Sequence, residues 1–275
     1  MLGSLNSGVS AMQQFQGRLD VIGNNIANVN TTGFKGARVN FADSFSQTME
    51  FTGSGSAMQV GSGVNTSSIT NEFNQGPITR TGLPSDLAVD GEGFFVVRNP
   101  AAPGTSEFYT RAGDFQLDKY GYLVTGDGYR VQGYSDAALT TTGDIQVDTT
   151  GANPASVGYR SFTFGADGKL TVYPNDGPAF VRGQVLLQKF ANPQALTKQG
   201  SNLFSSSANA GSLATPTAPG TNGTGAIVGG ALETSNVDLA AQFADLITTQ
   251  RAFQASARII TTSDEILQEL VNLKR

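Results

Sequence analysis

From Leu239 to Val271 the sequence reads LAAQFADLITTQRAFQASARIITTSDEILQELV, and its spacing is that of one long α-helix. Positions at alternating steps of four and three form a continuous stripe on a helix, and this pattern lasts for about five heptads. Two polar residues, Gln250 and Asp264, interrupt the stripe. We therefore predict a coiled-coil seam, whose large apolar members are Leu239, Phe243, Leu246, Phe253, Ile260 and Leu267.

A second apolar stripe runs along a neighbouring face of the same predicted helix. It consists of Ala252, Ile259, Ile266 and Leu270. A striped helix is most often part of its own domain's core. Two apolar faces require more than one neighbour, however, and polar seam residues such as Gln250 often set register and partner number. The pattern therefore favours self-association between copies of the chain.

The N-terminal end carries a similar pattern. Its apolar spacing predicts a helix over about residues 3–28, which would be about 40 Å long at about 1.5 Å per residue. A cluster of helix-ending residues, from Asn28 to Gly33, follows it. The residues expected to contact other subunits from this helix are Leu5, Val9, Met12, Leu19 and Ile26.

Between the two ends, short segments rich in β-branched and aromatic residues indicate strands. Several are separated by turn pairs: Asp90-Gly91, Asp127-Gly128, Asp167-Gly168 and Asp176-Gly177. We predict an α+β chain with a central all-β domain at residues 71–235 and a connector at residues 31–70. The terminal segments, 1–30 and 236–275, would pair as a coiled coil, either with each other or with neighbouring copies.

The composition argues against an enzyme. The 275 residues include no Cys, His or Trp, so disulfides, thiolate metal sites and the commonest general base are excluded. We expect no cofactor and no metal site. Charged residues make up 14% of the chain, against about 25% in an average globular protein, which lowers the hydration lost on burial against another subunit. The net charge of −5 disfavours nucleic acid as a partner, and we expect no membrane insertion and no cleaved secretory peptide.

Three local patterns could carry chemistry, and each has a simpler explanation. Gly91-Glu92-Gly93 follows a predicted strand but lacks the third glycine of a dinucleotide-binding motif, so a turn is favoured. Asp86, Asp90 and Glu92 do not have calcium-loop spacing. A carboxylate pair formed by Asp114 and Asp118 is less probable than a solvated strand edge. We therefore expect no catalytic residues.

Four segments of the sequence resemble a known family. They are Leu19–Lys35 (LDVIGNNIANVNTTGFK), Asp86–Val97 (DLAVDGEGFFVV), Tyr109–Gly133 (YTRAGDFQLDKYGYLVTGDGYRVQG) and the closing run Gly230–Arg275. Both ends and much of the middle resemble the flagellar axial family of rod, hook and related basal-body proteins, in family order. Within the family, the two ends look most like compact hook subunits, with the distal rod subunit as the alternative. A β-rich binding module on a coiled-coil stalk is a third hypothesis.

The resemblance implies a function and a set of partners. The chain would be exported unfolded by the flagellar type III export apparatus and would polymerise with itself into a tube, with its terminal helices inside. As a hook subunit it would form a flexible universal joint that carries torque from the basal body to the filament. Its other partners would be the neighbouring rod proteins, the hook–filament junction proteins and the hook cap. It would lie in the hook or basal body of the flagellum, outside the cell membrane.

Overall fold

A computed structural model describes residues 2–51, 57–101, 107–149, 158–211 and 215–273. The chain divides into two compact units. The helical unit comprises residues 1–29, 36–72 and 237–275, and the β unit comprises residues 30–35 and 73–236. The chain therefore passes between the units four times.

Two long helices lie at the ends of the chain, as the apolar stripes predict. Helix α1 spans Leu2–Ala27 and helix α2 spans Leu239–Leu273. Asp238 caps the start of α2, because its Oδ1 accepts hydrogen bonds from the backbone N–H groups of Ala240 at 2.8 Å and Ala241 at 3.3 Å. Helices α1 and α2 are in contact within the helical unit.

The helical unit also contains strands, which lie in the segment predicted from the sequence to be a connector. They are β1 (Ala37–Asp43), β2 (Ser46–Phe51), β3 (Ala57–Gly61) and β4 (Val64–Asn71). Strand β1 pairs antiparallel with β4, and β2 pairs antiparallel with β3, so the segment forms an extended two-stranded ribbon. Residues 52–56 of the expected connector lie outside the described residues. The ribbon packs on α1 at its base, where the rings of Phe15 and Phe41 meet edge to face at 6.0 Å.

The β unit is built almost entirely from short antiparallel strands. Its strands are β5 (Ile78–Arg80), β6 (Leu87–Asp90), β7 (Phe94–Arg98), β8 (Glu107–Thr110), β9 (Gln116–Leu117), β10 (Leu123–Val124), β11 (Arg130–Tyr134), β12 (Thr142–Asp144), β13 (Tyr159–Phe164), β14 (Lys169–Pro174), β15 (Phe180–Val185), β16 (Leu187–Gln188), β17 (Thr197–Gly200), β18 (Leu203–Ser205), β19 (Ala226–Gly229) and β20 (Ala231–Glu233). The main sheet runs in the order β13-β14-β15-β11-β7-β8-β18-β17, and two separate pairs are β19 with β6 and β20 with β5.

A dense apolar core fills the β unit. Leu87, Val97, Leu187 and other side chains of facing strands are fully buried there. The predicted Asp-Gly turns are present, because all four glycines have positive φ, a backbone conformation that glycine adopts without strain. The central β-rich region predicted from the sequence is therefore confirmed.

Candidate assembly surfaces

The face of α2 that packs inward is lined by small hydroxyl side chains. Thr249, Ser256 and Ser263 are buried, and they lie seven residues apart. Each hydroxyl donates a hydrogen bond to the backbone carbonyl four residues earlier, at 2.6, 3.0 and 2.7 Å respectively. Because the hydroxyls are satisfied within their own helix, these residues can be buried without an unpaired polar group.

These hydroxyl residues change the register of the predicted seam. They alternate with four predicted seam residues that are half-buried: Leu246, Phe253, Ile260 and Leu267. The polar residues assigned to the seam from the sequence, Gln250 and Asp264, are exposed instead. A four-and-three spacing also fits the register Leu246-Thr249-Phe253-Ser256, and the small hydroxyl residues allow closer helix approach than Gln or Asp would.

Contacts along the length of α1 hold it against α2. A methyl group added to Gly8 would lie 3.2 Å from Cγ1 of Ile260, so the helices approach closely at this point. Arg18 and Asp245 form an ion pair at 2.9 Å. Nδ2 of the buried Asn25 donates a hydrogen bond to Oε1 of Gln242 at 3.1 Å.

Helix α2 also exposes large apolar side chains on the parts of its surface that are not buried. Phe243 is 51% exposed, and Ile259 and Ile266 of the predicted second stripe are 47% and 49% exposed. The other exposed apolar residues of the helix are Leu239, Ile247, Leu270, Val271 and Leu273. So many large apolar side chains exposed on one helix indicate an interaction surface.

The predicted contact residues therefore fall into two groups. The exposed group is Val9, Leu239 and Phe243. The group half-buried in the helical unit is Leu5, Met12, Leu19, Ile26, Leu246, Phe253, Ile260 and Leu267. In a single copy of the chain, the side chains of the exposed group are accessible to another subunit.

A buried ionic cluster in the β unit is absent from the sequence-based expectations. The side chains of Lys35 and Glu233 are fully buried and form an ion pair at 2.6 Å. Nη1 of Arg111 donates to the other carboxylate oxygen of Glu233 at 3.2 Å, and the backbone N–H of Gly76 donates to the first at 2.9 Å. Burial lowers the pKa of Lys35, an effect that the carboxylate of Glu233 opposes.

The cluster joins segments that are distant in sequence. Three of the segments that resemble the flagellar axial family each contain one member of this cluster: Lys35, Arg111 or Glu233. A single charged residue in a segment does not show, from the sequence alone, which residues of other segments it contacts. A close backbone contact holds the same region together: Gly33 has a φ of +66°, and a Cβ there would lie 2.4 Å from the backbone nitrogen of Ala112. Only glycine fits this position without displacement of the backbone.

The local patterns considered for chemistry have structural roles. Gly91 and Gly93 have φ of +115° and +131° and form the tight connection between β6 and β7. Asp86 and Asp114 lie opposite each other in an isolated antiparallel bridge. Among the described residues, no group of three or more acidic side chains is placed to hold a metal ion. No helix in the described part of the chain is long and apolar enough to cross a membrane.

Models of three protein families match this chain. Residues 5–35 match the flagella basal body rod protein family, residues 88–172 match the flagellar hook protein FlgE/F/G D1 domain, and residues 228–273 match the flagellar basal body rod FlgEFG protein C-terminal family. Together with two terminal helices around a β unit, these matches define a structural subunit of the bacterial flagellum.

Full-length relatives narrow the assignment. The chain is 45% identical over 282 positions to the flagellar basal-body rod protein FlgG of Bacillus subtilis, with 100% of both chains covered. It is 34% identical to FlgG of Caulobacter vibrioides, with 98% and 99% covered. The flagellar hook protein FlgE of Borreliella burgdorferi is 28% identical over 446 positions. The chain belongs to the flagellar rod and hook FlgE/F/G family, is a component of the bacterial flagellum, and is not an enzyme.

Proposed function

We propose that this chain is a subunit of the distal rod of the flagellar basal body. The observation that carries the proposal is its end-to-end similarity, at 45% identity, to a basal-body rod protein. The sequence-based preference for the hook has weaker support. Aligning the hook relative takes 446 positions against 275 residues here, so that hook protein has segments that this chain lacks.

In the proposed mechanism the helical unit provides cohesion between subunits. Helices α1 and α2 pair as a coiled coil, and the exposed apolar face of α2 packs against neighbouring copies. The exposed residues Val9, Leu239 and Phe243 contact other subunits directly, and the half-buried residues Leu5, Met12, Leu19, Ile26, Leu246, Phe253, Ile260 and Leu267 set the shape of the helix pair. Burial of this apolar area drives the assembly.

The remaining features of the proposal concern export and partners. The subunit leaves the cell unfolded through the flagellar type III export apparatus and adds to the growing rod. The part of the rod that this subunit forms contacts other rod proteins at one end and the hook at the other. A binding module on a coiled-coil stalk is disfavoured, because full-length relatives are named as rod and hook proteins.

Electron microscopy of basal bodies from a strain that lacks this gene tests the proposal. A distal rod subunit is required before the hook is built, so we expect truncated rods and no hooks, with both restored when the gene is supplied again. Complete rods that lack only the curved hook would show instead that the chain is the hook subunit.

A further inference from the structure

A cleft with a volume of about 220 Å³ opens on the β unit. Its walls include the rings of Phe73, Phe94 and Phe190, with Phe94 in edge-to-face contact with Phe73 at 5.5 Å and with Phe190 at 5.8 Å. Arg111 and Lys189 also line it. The cleft is smaller than the roughly 300–1,000 Å³ typical of small-molecule sites, and it suits one or two inserted side chains.

Arg111 is a buried cation in the wall of this cleft. Its side chain is 5% exposed, and its guanidinium lies 5.2 Å from the centre of the Phe94 ring. The Nη atoms donate to Glu233 and to the carbonyl of Gly91, but Nε has no partner among the described residues. A buried donor without a partner is costly, so this arginine is held at the cleft by its charge contacts although one of its donors is unsatisfied.

The charge of the cleft favours a carboxylate. Glu233 neutralises only one of its two buried cations, Lys35 and Arg111, so a positive charge remains. At the rim Lys189 forms an ion pair with Glu92 at 2.6 Å, so the surplus of the cleft remains one positive charge. Three aromatic walls around a cationic site fit an apolar or aromatic side chain that is accompanied by an acidic group.

The helical unit exposes such a pair of side chains. Phe45 is 73% exposed, the highest value among the described aromatic residues. Asp43 is exposed two residues earlier and has no ion-pair partner among the described residues. The alternatives fit less well, because Lys119 covers the exposed ring of Tyr120 at 4.6 Å and Asp245 beside Phe243 is paired with Arg18.

We infer that the Arg111 cleft receives Phe45 and Asp43 of a second copy of this chain, with the Phe45 ring against the aromatic walls and the Asp43 carboxylate beside the unbalanced positive charge of the cleft. Phe45 is exposed in its own chain, so a different copy must supply it. The two surfaces lie in different units and are not self-complementary. The contact is therefore head-to-tail, and repeated head-to-tail contacts that do not close into a ring build open helical polymers. This inference rests on the self-assembly proposed above.

Cysteine cross-linking of full-length protein tests the contact directly, since the chain has no cysteine of its own. Ser44→Cys, between Asp43 and Phe45, is mixed with Ala191→Cys, at the cleft wall, and the mixture is assembled and oxidised. We expect a disulfide-linked dimer in the assembled fraction but not in unassembled protein. As a matched control, Lys119→Cys mixed with Ala191→Cys should give no dimer.

Substitutions of exposed residues provide a second measurement. Phe45→Ala should raise the concentration needed for assembly about tenfold, the effect of losing about 1.4 kcal/mol of contact free energy. Tyr120→Ala, which removes another exposed aromatic ring, should leave it unchanged. Assembly without the Ser44–Ala191 cross-link, or with it equally strong in unassembled protein, would overturn the cleft contact and leave the rod proposal standing. If the unaltered chain assembles at no concentration, the proposed function fails as well.

Discussion

The β unit and the helical unit differ in how much of their apolar surface they bury. In the β unit, side chains such as Phe95, Val97 and Leu187 are completely buried. In the described part of the helical unit, Ile22 is the one large apolar side chain that is buried, and the buried positions of α2 are Thr, Ser and Ser. The β unit thus has a complete core of its own, and the helical unit does not.

This difference has an energetic consequence. Ordering each residue opposes folding by about 1–2 kcal/mol for the backbone alone, and apolar burial must offset that loss. Helix α2 has 35 residues, yet its outer face leaves Phe243, Ile259 and Ile266 about half exposed. The helical unit would therefore gain more than the β unit from burial against neighbouring copies.

The largest expected effect is a loss of stability in the β unit alone. Glu233→Gln leaves Lys35 buried without a carboxylate partner, and loss of one member of a buried pair destabilises by about 3–5 kcal/mol. Urea unfolding followed by tyrosine fluorescence measures this change. All seven tyrosines lie in the β unit and the chain has no tryptophan, so the signal reports that unit alone.

The control for this variant removes an exposed pair in the same unit. Lys169 and Asp167 form an ion pair at 2.8 Å with side chains 41% and 49% exposed. Lys169→Met should change the free energy of unfolding by less than about 0.5 kcal/mol. A loss below about 1 kcal/mol for Glu233→Gln would show that the buried cluster does not stabilise the β unit.

The second effect is confined to the surface of the helical unit. Ile266→Asp places a charge on the outer face of α2, where assembly would remove it from water, so the concentration required for assembly should rise about a hundredfold. Light scattering measures assembly, and the tyrosine unfolding curve should not move. Leu83→Asp, at a leucine that is 59% exposed in the β unit, is the matched control. Unaltered assembly of Ile266→Asp would exclude this face as an interface.

The smallest effect concerns packing between the two helices. Gly8→Leu forces a side chain against Ile260 and should lower the stability of the helical unit by about 1–3 kcal/mol. Gly17→Leu is the matched control, since nothing lies within 4 Å of a Cβ there, and it should be neutral or stabilising. Thermal melting, monitored by the circular dichroism signal of the helices, compares the stability of the two variants. Equal melting temperatures would contradict the close approach at Gly8.

Periodicity and turn chemistry predict the overall organisation well, because both are local properties. The predicted helices end within a few residues of α1 and α2, and the Asp-Gly pairs mark real turns. The register of the seam, in contrast, depends on which face of α2 packs on α1, and this is not a local property. Two stripes of α2 have the same spacing, and buried residues such as Ser256 look polar in the sequence although their hydroxyls are satisfied within the helix.

The features missed from the sequence depend on contacts between distant segments. Strand β4, which reads VNTSSITN, has few large apolar residues and becomes a strand through its pairing with β1. The ion pair of Lys35 with Glu233 joins residues 198 positions apart. The Arg111 cleft likewise draws its walls from separate strands and loops. These contacts between distant residues leave no local pattern in the sequence.

Glu233 also links segments of the β unit that lie next to the points where the chain enters and leaves it. The chain crosses from one unit to the other four times, near residues 30, 36, 73 and 237. Close to these crossings in sequence, Gly33, Lys35 and Gly76 each donate a hydrogen bond to Glu233, Gly33 to its backbone carbonyl and the other two to its carboxylate. Because these three segments of the β unit are tied to one residue, a pull on any of them is passed to the others through Glu233.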